Sequence, residues 1–400
     1  MKRQVVMMIA AAAAFALTPS AEAATWTVDL DRENVVTNVP LGLGKTSTLT
    51  IPKSEFANPH GKKTATLLFD GTWWHLECEG HIDEDSVLEP LDVPAQPFPA
   101  GTRHFESAPI GSIQGWKPKG HNASVGDVTG IWYKGRLHVF YLVDRRNHKS
   151  KGGTGGHSFA HLSSADLVSW REHPAAVQIT EWWQTVGTGT PFVLKDGRLA
   201  LAYGFHTERM QSPKAKGKPR GATYAVSDDG GETFRQTGEF FHETRNPTVY
   251  NRPDGRYGMV CGYGMGGIYA SDDLKTWELV DDTTGAKGDC PCYFTWNGHH
   301  YLLQGYRGHE FLRHSKTGKP GSWEDWGKQI PALYAGLIVP MVVEIPGNRR
   351  LLLGWRSATS ELWGGVMEIR EVFQGADGSL RSELLDIRPD KNCGGAERGA

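Results

Sequence analysis

A hairpin that recurs five times between Ile131 and Trp355 constrains this chain more than any other feature. The copies are IWYKGRLHVFYLV (131–143), PFVLKDGRLALAYGF (191–205), TVYNRPDGRYGMVCGY (248–263), CYFTWNGHHYLLQGY (292–306) and MVVEIPGNRRLLLGW (341–355). Each sets a Lys-Gly, Asp-Gly, Asn-Gly or Gly-Asn step between two runs rich in β-branched and aromatic residues, the pattern of a tight turn joining two strands. The hairpins start roughly 45 to 60 residues apart, room for about four strands per repeat. After four of them a further strand runs into a polar turn and an aromatic residue: SSADLVSW, SDDGGETF, SDDLKTW and KPGSWEDW. The expectation is an all-β chain built on a five-bladed β-propeller. No amphipathic helical stretch of useful length separates the strands, which argues against a parallel βαβ fold. A long β-sandwich is the other all-β solution.

Residues 1–23 carry the pattern of a signal peptide: Lys2 and Arg3, an apolar run from Val5 to Leu17, and Ala21-Glu22-Ala23 as the cleavage site. Export to the periplasm or medium is expected, with the mature chain starting at Ala24. No later run is apolar enough over about 18 residues to suggest a membrane span. Residues 24–110 read as a separate β-rich module of short strands (WTVDL, TSTLTIP, TATLLFD, TWWHLECEG) that ends in a Pro-rich linker, VPAQPFPAG. Of its adjacent Trp73 and Trp74, alternation on a strand would bury at most one. The propeller is expected over 111–390.

With 43 basic and 45 acidic residues, the chain offers no global field for nucleic acid or anionic membrane. Fourteen Trp suit a protein that stacks on sugars, although most are expected in the core. The five Cys contain no CxxC pair, so neither a metal site nor a disulfide pairing is assigned. No cofactor is expected, and the partner expected of a monomer is an oligo- or polysaccharide substrate.

In a propeller the first strand of each blade lines one axial channel, so residues at strand starts meet although they are far apart in sequence. Those positions hold Asp127 in GDVTG, Thr188 and Thr190 in GTGTP, Arg245 and Asn246 in TRNPTVY, Asp289 in GDCPCYF and Tyr334 in LYAG. Two carboxylates beside an arginine and an amide form a set suited to glycosidic bond cleavage. One carboxylate attacks or activates water, and the other, as the acid, protonates the leaving oxygen.

GDVTGIWYKGRLHVFY followed by FAHLSSADLVSW resembles the NDPNG-type opening blade of glycoside hydrolase family 32, the five-bladed fructan- and sucrose-cleaving propellers related to families 43 and 68. TRNP is similar to that family's RDP motif, DCP to its EC motif, and LLLGWRSATSELWGGVMEIREVFQGADGSL to its last blade. The resemblance implies a β-fructofuranosidase-like hydrolase with Asp127 as nucleophile and Asp289 as acid/base. Arg245 and Asn246 would grip sugar hydroxyls, with Thr188, Trp132, His161 and Tyr334 as further substrate contacts. Asn246 replaces the family's Asp, and Asp289 replaces its Glu with a side chain one methylene shorter. A misplacement of about 1 Å can cost on the order of a hundredfold in rate, so the departures imply a tighter pocket around a different sugar, or reduced activity. An arabinosidase- or xylosidase-like hydrolase and a carbohydrate-binding propeller without catalysis are the alternatives.

Other motifs read as structural. SDDGGETF fits the Asp box of sialidase blades, with Ser227, Asp229 and Gly231 as a turn device; a sialidase would need more channel-facing arginines than Arg245. His299 and His300 are strand neighbours pointing to opposite faces, a poor metal pair. Asn122 opens an acceptor sequon of little weight in an exported bacterial chain, and the basic segment 213–221 and the loop after Asp144 read as solvated loops.

Overall fold

The computed structural model describes residues 24–42, 45–51, 53, 62–69, 74–78, 81–82, 113–118, 124–144, 157–178, 185–206, 217–262, 266–285, 288–306, 309–357 and 364–387. The expected signal peptide, Trp73, the Pro-rich linker, Asn122, the loop following Asp144, most of the basic segment and Cys393 lie outside the described residues.

The N-terminal residues form a four-stranded antiparallel sheet, Ala24–Asp29, Thr64–Phe69, Trp74–Cys78 and His81–Ile82, and a hairpin of Asn34–Gly42 with Lys45–Ile51. Val28, Leu30, Val36, Val39, Ile51, Ala65 and Leu67 are buried there.

Five four-stranded antiparallel sheets follow among the described residues, each with its strands in chain order, as the repeat predicts. Blade one is Gly126–Tyr133, Arg136–Asp144, His157–Ser164 and Arg171–Val177. Blade two is Thr185–Val193, Leu199–His206, Gly221–Val226 and Arg235–Gln236. Blade three is Pro247–Asn251, Tyr257–Cys261, Ile268–Ser271 and Glu278–Asp281. Blade four is Asp289–Trp296, His299–Tyr306, His309–Ser315 and Glu324–Asp325. Blade five is Ile338–Ile345, Arg349–Ser357, Gly365–Gln374 and Leu380–Leu384.

The turn chemistry accounts for the hairpins. Lys134-Gly135 (φ 46° and 77°), Asn297-Gly298 (46° and 80°) and Gly347-Asn348 (82° and 58°) are left-handed at both central positions. That geometry matches the twist of the flanking strands. The polar turns are Ser/Asp devices. The hydroxyls of Ser164, Ser227 and Ser271 accept the N–H of Leu167, Gly231 and Leu274 at 2.8, 2.7 and 3.0 Å. The carboxylates of Asp166, Asp229 and Asp273 accept those of Ser169, Thr233 and Thr276 at 2.7, 2.9 and 2.9 Å. The Asp-box segment is thus a turn-former, as expected.

Apolar side chains lock each blade to the next. Phe140, Leu142 and Phe159 of blade one pack with Val186, Leu201 and Tyr203 of blade two, and Val128, Leu137 and Val139 pack with Leu351, Leu353 and Ile369 of blade five. The ring is closed by the segment before blade one, a device the repeat did not reveal. Gly115 N–H donates to the Met367 carbonyl at 2.9 Å and Met367 N–H to that of Trp116 at 2.8 Å. The Gln114 amide accepts from Ile369 N–H at 3.0 Å and donates to its carbonyl at 2.7 Å. Residues 113–116 therefore complete the outer edge of blade five.

Candidate active site

At the end of the axis where the first strands begin, residues from all five blades come together. In blades one, two, four and five the register slips at this point, between Gly126 and Val128, Val186 and Gly189, Asp289 and Cys292, and Ile338 and Met341. Such bulges turn a side chain out of strict strand alternation. Here they redirect the residues expected to face the channel.

Asp127 is buried, at 9% exposure. Thr188 Oγ1 donates to its Oδ2, and Trp355 Nε1 donates to its Oδ1 at 3.4 Å. Cys290 Sγ lies 3.9 Å from the same Oδ2 and 3.1 Å from Thr188 Oγ1. Asp289, the preceding residue, is partly exposed, and its Oδ1 accepts the Cys290 N–H at 3.0 Å and a short bond from Asn246 Nδ2. Asn246 Nδ2 also lies 3.5 Å from Cys290 Sγ. The carboxylates of Asp127 and Asp289 therefore both reach Cys290, one near its thiol and one at its backbone N–H, although 162 positions separate them (289 − 127). Burial, then the charges of Asp127 and Asp289, push the Cys290 thiol well above its ordinary value, so it is a protonated spacer and not a thiolate.

Asn246 contributes the polar vacancy a ligand would use. It is 7% exposed, and its Oδ1 is buried without a hydrogen-bond partner among the described residues. Buried acceptors are rarely left unpaired, which makes this atom a place for an incoming hydroxyl. Arg245 precedes it in the same turn and is half-buried.

Four residues expected to touch substrate are placed differently. Thr188 is directed at Asp127 and Cys290. His161 is fully buried inside blade one, its ring 4.4 Å from Phe140 and 4.2 Å from His173, with Nε2 3.0 Å from His138 Nδ1. Trp132 lies near the far end of its strand, where it lines a cavity of about 550 Å³ with Thr190, Thr248 and Asn348. Tyr334 does not start a strand. It ends the short helix Ile330–Tyr334 and is 4% exposed in the core between blades four and five. Only the first few residues of each inner strand reach this end, which excludes Trp132 late in its strand, His161 in a third strand and Tyr334 in a helix, whereas Thr188 reaches it and turns to Asp127. Trp355 and Cys290 were not assigned roles from sequence. The signal for Trp355 was its place after Gly354 at the end of a repeat hairpin, and that for Cys290 its place beside Asp289.

Residues 125–318 match the family model described as Glycosyl hydrolases family 32 N-terminal domain. A probable sucrose-6-phosphate hydrolase of Psychromonas ingrahamii is 26% identical over 267 residues, covering 58% of this chain and 47% of that protein. The sucrose-6-phosphate hydrolase of Bacillus subtilis is 26% identical over 273 residues, covering 58% and 54%. Fructan 1-exohydrolase IIa from Cichorium intybus shares the fold with a TM-score of 0.52 at 18% identity, over 73% of this chain and 61% of that one. The chain spans about half the length of these curated relatives. The five-bladed propeller is glycoside hydrolase family 32-like.

Proposed function

We propose that this family 32-like propeller hydrolyses β-fructofuranoside bonds in an oligo- or polysaccharide, with Asp127 as nucleophile and Asp289 as acid/base. The observation that carries the reading is that both carboxylates meet Cys290 at one end of the axis, Asp127 near its thiol and Asp289 at its backbone N–H. In the first step an Asp127 oxygen bonds to the anomeric carbon while the glycosidic C–O bond breaks, and Asp289 gives its proton to the departing oxygen. In the second step water attacks the anomeric carbon and passes a proton to Asp289, and the bond to Asp127 breaks. Thr188 and Trp355 orient Asp127, and Asn246 Nδ2 and the Cys290 N–H orient Asp289. The free Asn246 Oδ1 takes a sugar hydroxyl, with Arg245 beside it.

The test is incubation of the mature protein with sucrose, inulin, levan and aryl arabinosides. Fructose release that Asp127→Asn lowers by about a thousandfold or more supports the assignment. Cleavage of pentosides alone would transfer the same machinery to an arabinosidase- or xylosidase-like reaction and reject the fructoside. Sugar binding without turnover, little changed by Asp289→Ala, would indicate a binding propeller. Lys2, Arg3 and the apolar run Val5 to Leu17 support export. Protein recovered from periplasm or medium should begin at Ala24.

A further inference from the structure

Glu310 stands in the third strand of blade four, opposite Gly305, and Gly305 is in turn opposite Asp289. The three form a row across the blade at the end where the candidate carboxylates lie. Adjacent strands are about 4.8 Å apart, which sets the Cα atoms of Asp289 and Glu310 about 10 Å apart. That distance is on the scale of one sugar ring with its hydroxyl contacts, and Gly305 contributes no side chain between them.

Blade five supplies an internal control. There Glu368 occupies the matching place, opposite Gly354 in the third strand. Two arginines hold it: Arg356 at 2.5 and 2.9 Å, and Arg370 at 2.8 Å. Glu310 is half-buried, its Oε2 is buried without a hydrogen-bond partner, and no ion pair reaches it among the described residues. Its electrostatic neighbour is Tyr334, whose hydroxyl is raised first by burial and then by the Glu310 charge. Burial pushes the Glu310 carboxyl up to about 7, so below neutrality it carries a proton and both donates and accepts, as recognition of a hydroxyl requires.

We propose that Glu310 is a substrate-contacting residue that hydrogen-bonds the leaving-group sugar and so selects for a sugar, not an apolar group, on that side of the bond. The inference rests on the reading of Asp289 as proton donor. The glycosidic oxygen must then lie at Asp289, with the leaving group on the side away from Asp127, toward Glu310.

The experiment compares sucrose, whose leaving group is a sugar, with 4-nitrophenyl β-fructofuranoside, whose leaving group carries no sugar hydroxyl. Glu310→Ala should lower kcat/KM on sucrose about tenfold through KM and leave the nitrophenyl substrate unchanged. Glu310→Gln, which keeps donor and acceptor, should stay within about threefold of the parent below pH 7. Calorimetry on Asp127→Asn should give about tenfold weaker sucrose binding when Glu310→Ala is added, with fructose binding unchanged. Equal losses on both substrates, or none on either, would overturn the role of Glu310 and leave the hydrolase reading standing. Absence of cleavage of either fructoside by the parent protein would overturn the reading of Asp289, and this inference with it.

Discussion

Asp127 is held from outside its own blade: Thr188 comes from blade two, Cys290 from blade four and Trp355 from blade five. A nucleophile must lie within a fraction of an ångström of its attack position, so these contacts bear on kcat more than on binding. Thr188→Val keeps the side-chain volume and removes the hydroxyl. It should lower kcat on sucrose about ten- to hundredfold with KM little changed. Trp355→Phe should cost less, because its bond to Asp127 is long at 3.4 Å. Steady-state kinetics beside a thermal melt checks both; a loss confined to KM would contradict an orienting role. Asp127, Asn246 and Asp289 were legible in sequence because each sits at the same point of its repeat, where propeller geometry dictates convergence. The target of Thr188 was not legible, since a threonine at a strand start looks equally suited to a sugar or to a neighbouring carboxylate.

The hairpins were legible as elements because Gly and Asn mark their left-handed turns. The bulges were hidden because the residues that take positive φ within them, Cys290 at 46° and Val339 at 47°, carry no such mark. Without the bulges, simple alternation assigns inward positions one residue out of step. That is why the place of Cys290 beside Asp127 and Thr188 was not legible. Gly204 in the second strand of blade two and Gly262 just past that of blade three belong to the same construction. A Cβ on Gly204 would fall on the Arg245 carbonyl, so the backbone leading into blade three passes directly over it. A Cβ on Gly262 would lie 3.0 Å from Asp289 Oδ1, from the Asn246 carbonyl and from Pro291 Cδ. Backbone cannot yield as a side chain can, so Gly204→Ala should destabilise folding by about 2 kcal/mol or more, read as a lower urea midpoint. Gly262→Ala should fold with a smaller loss, yet lower kcat about tenfold by moving Asp289. The reverse order of effects on stability would refute this account.

As a whole molecule the ring depends on joining its first and last blades and on keeping charge out of the seams between blades. Residues 113–116 do the first by pairing with Met367 and Ile369. The second is under strain from pH, because blade one buries three stacked histidines, His138, His161 and His173, with ring centres 4.2 to 6.1 Å apart. Burial lowers all three. His138 falls to about 4, helped by the His173 and Arg136 charges; His161 falls well below the usual histidine range, helped by His173 and His138; and His173 falls to about 4, helped by Arg171 and Arg136. Glu232 opposes this from blade two, 3.4 Å from His173 Nδ1, and does not reverse it. His314 in blade four, stacked 3.6 Å from Trp326, is likewise lowered to about 4 by burial and then by His299. Above about pH 6.5 these rings are neutral in both folded and unfolded chains, and their packing contributes in full. Below it the unfolded chain binds protons that the folded one refuses, so stability is lost progressively as pH falls from about 6.5 toward 4. The urea midpoint should therefore hold steady between pH 7 and 8 and drop by the equivalent of about 2 kcal/mol or more by pH 4.5. Carboxylates whose values lie below the ordinary range, such as Asp273 with its bonds from the Thr276 and Lys275 N–H groups, act only at lower pH, so the two losses separate on the pH axis. A midpoint unchanged down to pH 4.5 would mean that the rings accept protons in the folded ring of blades, and the buried stack could not then be the acid-sensitive seam.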